Sequence, residues 1–485
     1  MLLRGAAYIV VFLACAALLT RIRAPRARQV VLLVASYGLY LSWEPWFAAV
    51  LAASTLMNFV VGRSLRRRPS AWTLALGVAL NLALLGFFKY LPVAATGLQV
   101  AALQTLSGLA MPLGISFWTF QAMSYLFDLY REEELDPSLL EFAVYLAFFP
   151  VTISGPVCRL PDMLPQFRAD ATAPRDAISR GFQRIAIGVL MMQFAKLLGQ
   201  GILAGDGIAS GFDRVTHWTG PDAWCLAFGY GLQLFFDFGG YSHIAIGAAQ
   251  TLGFTLPENF DHPFESNTPS MFWTRWHMSL SFWIRDYVFL PLATLRREVW
   301  WRHLALLLSM IAFGLWHKAS VLFVLWGAYH GALLVAHRLL QQATRRFDQE
   351  PPAVLWTSLS WIATLVSINL GWIFFRANSF NQARLMLAAL VTPASYSSHA
   401  LSLSLYLLVV SLAMGYALVV WAIHRLDRHS AAESAREADS GSTAALLARW
   451  RWFWLPPLYA LALLFLLFVT ISRGVSTAQM MYGNF

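Results

Sequence analysis

F-W-T-R-W-H-M-S-L-S-F-W-I-R-D-Y-V-F-L-P-L (272–292) is the stretch on which the reading of this chain turns. It is dominated by aromatic and aliphatic side chains, yet it carries His277, Arg275, Arg285 and Asp286. Further along, F-G-L-W-H-K-A-S (313–320) sets His317 among residues of the same kind. A polar, ionisable ring at bilayer depth costs free energy unless it has partners or faces water, so both histidines are candidates for function. Read as one helix, 272–292 places Trp273, His277, Leu280, Ser281 and Ile284 on a single stripe. An Arg285–Asp286 ion pair would anchor that helix at an interface.

Working outward, the composition makes lipid the main solvent. The chain has 485 residues, 58% hydrophobic and 12% charged, with a mean hydropathy of +0.57. Soluble domains carry about 25% charged residues. Apolar runs recur at 6–20, 29–62 (broken near Ser42 to Trp46), 70–88, 138–153, 182–203, 222–236, 304–316, 319–336, 354–375, 402–424 and 453–472. A spanning helix needs roughly 20 apolar residues, so the shorter runs are expected to be tilted, broken or re-entrant inside a bundle. The expectation is an all-α, multi-pass membrane protein of about eleven transmembrane or re-entrant helices. It is read as one membrane domain over 1–485, with 425–451 a polar cytoplasmic linker and 453–472 the last transmembrane helix.

The net charge of +10 comes from arginines at run ends, Arg21 to Arg28 and Arg63 to Arg68, and is no nucleic-acid footprint. Short basic loops mark the cytoplasmic side, which places the Trp43–Trp46 turn and the amino terminus outside. The first run is expected to be a retained helix rather than a cleaved signal. Residues 159–181 read as interfacial helix and loop, and Arg131 to Asp136 as a solvated face. Cys15, Cys158 and Cys225 are too few and scattered for a disulfide framework or a zinc site. Without a nearby carboxylate cluster, no metal is expected at the histidines.

His317 separates two apolar runs that would exceed bilayer thickness as one helix, so a break is expected beside it. Broken helices at membrane depth are where transporter and enzyme sites form. An uncharged imidazole there would be the form a general base requires, worth about 10²–10⁴ in rate. Trp316 precedes it and Lys318 follows. His330, in W-G-A-Y-H-G (326–331), either supports that site or packs, and Gly327 with Gly331 would let two helices approach closely. No phosphate-binding loop, nucleophile elbow or C-x-x-C pattern occurs in a usable context. Enzyme, transporter and non-catalytic subunit all remain open at this level.

Several segments follow one another in a familiar order. They are N-L-A-L-L-G-F-F-K-Y (81–90), P-L-G-I-S-F-W-T-F-Q-A-M-S-Y-L-F-D-L-Y-R (112–131), F-F-P-V-T-I-S-G-P-V-C-R (148–159), Q-L-F-F-D-F-G-G-Y-S-H-I-A-I-G (233–247), E-N-F-D-H-P-F (258–264), the 272–287 stretch, G-L-W-H (314–317), W-G-A-Y-H-G (326–331) and G-W-I-F-F-R-A (371–377). Together, over roughly 30–380, they resemble the membrane-bound O-acyltransferase superfamily, in its alginate O-acetyltransferase membrane-subunit branch.

The resemblance implies a helical fold around a central funnel or tunnel. It makes His317 the catalytic histidine and His277 its companion, with His330, Asp286, Arg285, Asn259, Ser281 and Trp316 supporting the site. The implied reaction moves acetyl from a cytoplasmic thioester such as acetyl-CoA, a substrate rather than a tightly bound cofactor, toward a periplasmic exopolysaccharide. Peptidoglycan O-acetylation and D-alanyl transfer to teichoic acid are the alternatives. A periplasmic acetyltransferase or relay protein is the implied partner, and a bacterial inner membrane the implied location. Three departures bear on substrate: Lys318 replaces a glycine, His243 replaces an aspartate, and Ala293 to Arg296 replace a glycine-rich turn.

Overall fold

A computed structural model describes residues 2–91, 111–170, 172–202, 205–344 and 354–434. Among these the structure is helical, and the sole strand-like pairing is an isolated antiparallel bridge between Phe260 and Trp276. The chain divides into two compact units. Of the described residues, one unit holds those up to Val189 and Phe238–Arg384, the other Leu190–Asp237 and 385–434.

In the first unit, α1 (Leu2–Leu19), α2 (Pro25–Trp43), α3 (Pro45–Arg67) and α4 (Ala71–Lys89) follow in order. Pro25 and Pro45 open their helices at positions where the missing N–H costs nothing. Asn58 on α3 and Asn81 on α4 exchange side-chain hydrogen bonds of 3.2 and 2.7 Å, a polar clasp between buried helix faces. Helices α5 (Ile115–Tyr130), α6 (Leu139–Ala147) and α7 (Leu160–Arg168) complete this half. Helix α6 has 9 residues, too few to cross a bilayer, and starts in a capping box between Ser138 and Glu141. Arg168 donates to Glu141 at 2.7 Å and Arg66 pairs with Asp136. Glu132 to Glu134 are exposed, as a solvated face requires.

Helix α8 (Arg175–Gln200), the short α9 (Ile208–Asp213) and α10 (Gly220–Thr251) follow, α8 and α10 running from one unit into the other. Within the second unit, Asp222 in the first turn of α10 is fully buried and saturated with donors. The Thr219 hydroxyl and Tyr406 hydroxyl donate to it at 2.6 Å each, and the Leu401 and Ala400 amides at 3.0 Å each.

The remaining helices are α11 (Pro269–Arg275), α12 (Met278–Ile284), α13 (Leu290–Thr294), α14 (Val299–His317), α15 (Val321–Thr344), α16 (Val354–Arg376), α17 (Phe380–Val391) and α18 (Leu403–Ser434). Helices α14 and α15 form an antiparallel hairpin turning at 318–320. Its seam is made by glycines: a Cβ at Gly314 would strike the Phe323 carbonyl, and one at Gly327 the Met310 carbonyl. Gly331 lies against Leu307 in the same register, so the small-residue pair closes this hairpin.

Six described helices are long and apolar enough to cross a membrane: Pro45–Arg67, Ala71–Lys89, Val299–His317, Val321–Ala343, Val354–Arg376 and Leu403–Arg425. The apolar runs near 29–43, 182–203 and 222–236 are helices too, but their polar residues hold them below that mark. The run at 453–472 lies outside the described residues, as does most of 425–451. The first residues of that polar segment, to Ser434, continue α18 as helix.

Candidate active site

The stretch 272–292 is not one helix. It is broken at His277, which lies between α11 and α12 with φ 44° and ψ 50°. Left-handed backbone costs a residue with a Cβ about 1–2 kcal/mol. The break follows from a crossing segment that takes over the hydrogen bonds. The Asp261 amide donates to the Arg275 carbonyl at 3.0 Å, and the Met278 amide to the Asn259 carbonyl at 2.9 Å. A second irregularity follows at once, a π-helical turn over Arg285–Phe289. Strained backbone of this kind persists where surroundings over-determine it and clusters at functional sites.

Asn259 holds the break from beneath. It is fully buried, donates to the Ser242 hydroxyl at 3.0 Å and accepts from the Ser279 hydroxyl at 2.6 Å. Ser279 in turn accepts from the Val157 amide at 2.9 Å. Ser281 donates to the Trp276 carbonyl at 3.0 Å, closing the chain just before the break. Ser242 and Ser279 were not singled out by sequence, and their signal, short polar side chains inside apolar runs, is too common to stand out. His277 itself is fully buried, with its ring edge-on to Phe238 at 4.5 Å.

His317 is the last residue of α14 and is buried. Its ring lies 4.6 Å from Trp316, 5.0 Å from Phe313, 5.1 Å from Phe375 and 5.5 Å from Trp326. It is within electrostatic range of His277 and of Lys89. Trp326 stands between His317 and the fully buried His330, whose ring it meets at 5.0 Å. Trp273 meets His330 from another side at 5.2 Å. A Cβ at Gly371 would collide with the His330 Nε2, so the glycine of G-W-I-F-F-R-A makes room for that imidazole.

The cage is aromatic, but it is not apolar at every atom. The indole N–H groups of Trp273, Trp316, Trp326 and Trp372, and both ring nitrogens of His330, are buried with no hydrogen-bond partner among the described residues. Buried polar groups are nearly always paired, and clustered exceptions point to water or a visiting ligand. Lys318 is exposed and leaves the cage after closing the α14 turn. The ammonium at the cage belongs instead to Lys89, whose Nζ sits 4.8 Å from the Trp316 ring centre. Sequence reading passed over Lys89 even though a lone charge at the end of an apolar run is itself a signal.

Asp286 and Arg285 form a separate ionic cluster. Asp286 accepts from Arg159 at 2.7 Å and from Arg285 at 2.6 Å. Arg131 and Arg159 both lie over the Tyr287 ring at 5.2 Å, and the Tyr287 hydroxyl donates to Asp128 at 2.7 Å. The anchoring ion pair is therefore present and is extended by Arg159. His243, in the position of an aspartate, lies within electrostatic range of Arg184, which pairs with Glu258.

The candidate site thus brings together a buried imidazole at a helix end, a second at a backbone break, and a lysine with no hydrogen-bond partner among the described residues. Comparison with known proteins gives the family. Residues 71–381 match the membrane-bound O-acyltransferase family. The chain is 36% identical over 382 residues to the probable alginate O-acetylase of Pseudomonas putida, covering 75% of each protein. It is 31% identical over 396 residues to a peptidoglycan O-acetyltransferase of Helicobacter pylori, covering 74% of this chain and 73% of the relative. It is 28% identical over 281 residues to a teichoic acid D-alanyltransferase of Bacillus subtilis, covering 56% of this chain and 69% of the relative. The chain is therefore a multi-pass membrane acyltransferase and belongs to the membrane-bound O-acyltransferase family.

Proposed function

We propose that this protein moves acetyl groups from a cytoplasmic thioester, acetyl-CoA or a carrier of the same chemistry, to the hydroxyls of an exopolysaccharide on the far side of a bacterial inner membrane. His317 acts as general base. As the acceptor oxygen attacks the thioester carbonyl, its proton passes to the imidazole. The carbonyl electrons move onto oxygen, and collapse of that intermediate breaks the C–S bond. The departing sulfur takes the proton back, so His317 ends as it began. His277 orients the carbonyl, and its position depends on the brace of Asn259, Ser279, Ser242 and Ser281. His330 and Trp316 shape the cage around the reacting atoms. In this reading Asp286 and Arg285 fix the helix that follows His277 rather than touching substrate. Where the attacking hydroxyl belongs to a periplasmic acetyltransferase or relay protein instead of the polymer, that partner passes the acetyl on to the polysaccharide.

The observation that carries the reading is the aromatic cage around His317, in which several polar groups await partners. The alginate O-acetylase relatives favour acetyl and a polysaccharide acceptor over D-alanyl and teichoic acid. The test is a His317→Ala variant confirmed to insert and fold, compared with wild type by mass spectrometry of acetyl groups on secreted polysaccharide and on peptidoglycan. Acetylation of the secreted polymer should fall by about 10²-fold or more. Undiminished acetylation would remove His317 as the base, and loss confined to peptidoglycan would reassign the acceptor.

A further inference from the structure

Lys89 ends α4, and its ammonium nitrogen is buried without a hydrogen bond or counter-ion among the described residues. It lies over the face of Trp316 at 4.8 Å, and Trp316 in turn touches His317 at 4.6 Å. The placement is held on both sides. The Tyr90 hydroxyl donates to the Leu315 carbonyl at 2.9 Å, tying the end of α4 to the last turn of α14. Phe88, on the other side of Lys89, packs against Trp46 at 5.5 Å. A lysine on a flexible stem at a helix end could ordinarily reach water or headgroups. Here it is kept inside, next to the imidazole. A buried cation left without an anion is unfavourable in the resting protein, and it becomes favourable when a reaction creates negative charge beside it.

We infer that Lys89 is the electrostatic half of the acyl-transfer site: its ammonium stabilises the negative charge that builds on the thioester carbonyl oxygen while His317 holds the acceptor's proton. This rests on the reading of His317 as the base. Lys89 keeps its own proton throughout. The new C–O bond forms, the carbonyl oxygen carries the charge under the ammonium, and the charge returns to the carbonyl as the C–S bond breaks. Trp316 presents one face to the cation and lies against the His317 ring at 4.6 Å, and so sets the spacing between cation and base.

The test uses membranes from producing cells that contain the full chain with its native partners, supplied with labelled acetyl-CoA, with label in polysaccharide as readout. Lys89→Met removes the charge at nearly constant volume, Lys89→Gln keeps hydrogen bonding without charge, and Lys89→Arg keeps charge with altered reach. His317→Ala runs in parallel. With His317→Ala inactive, the expected result is a loss in kcat of about 10²-fold for Met and Gln, typical of removing one oxyanion donor. KM for acetyl-CoA should stay within about threefold, and Arg should recover part of the rate. A merely structural lysine would instead lower the amount of folded protein and leave kcat per folded molecule unchanged. The Gln variant serves if the Met variant does not accumulate. Rates within about threefold of wild type for either uncharged variant, with His317→Ala dead, would overturn the role of Lys89 and leave the base in place. An active His317→Ala would overturn both.

Discussion

Asp222 and Lys89 are both charged groups whose charged atoms are withdrawn from solvent, and their surroundings are opposites. Asp222 receives hydrogen bonds from two hydroxyls and three backbone amides, which knot the start of α10 to residues 400–406. Among the described residues, Lys89 meets only the face of an indole. A charge buried to hold a fold is surrounded by partners, because each missing one costs stability. A charge buried to meet a transient anion is left open, because a resident partner would compete with it. The same contrast separates Asn259, which is fully engaged, from His330, whose ring nitrogens have no hydrogen-bond partner among the described residues.

The comparison breaks most clearly through stability. Asp222→Ala should destabilise the protein by about 3 kcal/mol, since it strands several buried donors at once. Lys89→Met should leave stability unchanged or raise it. Thermal unfolding of both variants in the same detergent checks the pair, and equal losses would mean that Lys89 is as structural as Asp222. Next in size, Asn259→Ala should cost about 2 kcal/mol by freeing the Ser279 and Ser242 hydroxyls. It should also lower activity by loosening the left-handed turn at His277. A variant that loses stability but keeps full activity would separate that turn from the chemistry.

The smallest effect concerns Glu141, at the start of a helix too short to cross the membrane. Burial raises its carboxyl, but hydrogen bonds from Arg168 and Ser138 outweigh that and hold it below its ordinary value of 4.5. A carboxyl depressed by folding contributes stability fully above its unfolded value and loses it as pH falls through the lower folded value. The contribution, roughly 1 kcal/mol for a half-exposed pair, should therefore be intact above pH 4.5 and fade below it. The thermal midpoint of Glu141→Gln should sit below wild type at neutral pH and converge with it on acidification. A constant gap across that range would assign the effect to packing.

Much of the candidate site was legible in the residues alone. His317 announced itself as an ionisable ring between two apolar runs, and the excess length of those runs required the break that became the α14–α15 hairpin. Gly327 and Gly331 foretold the close seam. His277 was identified, but its setting was not. Helical periodicity in 272–292 is a local property, whereas the break at His277 is imposed by the 259–261 segment crossing it. Lys318 drew attention because it adjoins His317 in sequence, yet it is Lys89, far away in the chain, that the fold carries to the cage.

By itself the sequence determined the solvent, the helical class and the family, and it marked the two histidines as candidates, because hydropathy, helix length and ordered motifs are encoded in neighbouring residues. Only the tertiary structure decided which charge accompanies His317, how His277 is turned out of its helix, and which buried polar atoms stay unsatisfied. Those depend on contacts between segments distant along the chain. A residue's type declares what it can bond to, and only the packed neighbours declare whether it has done so.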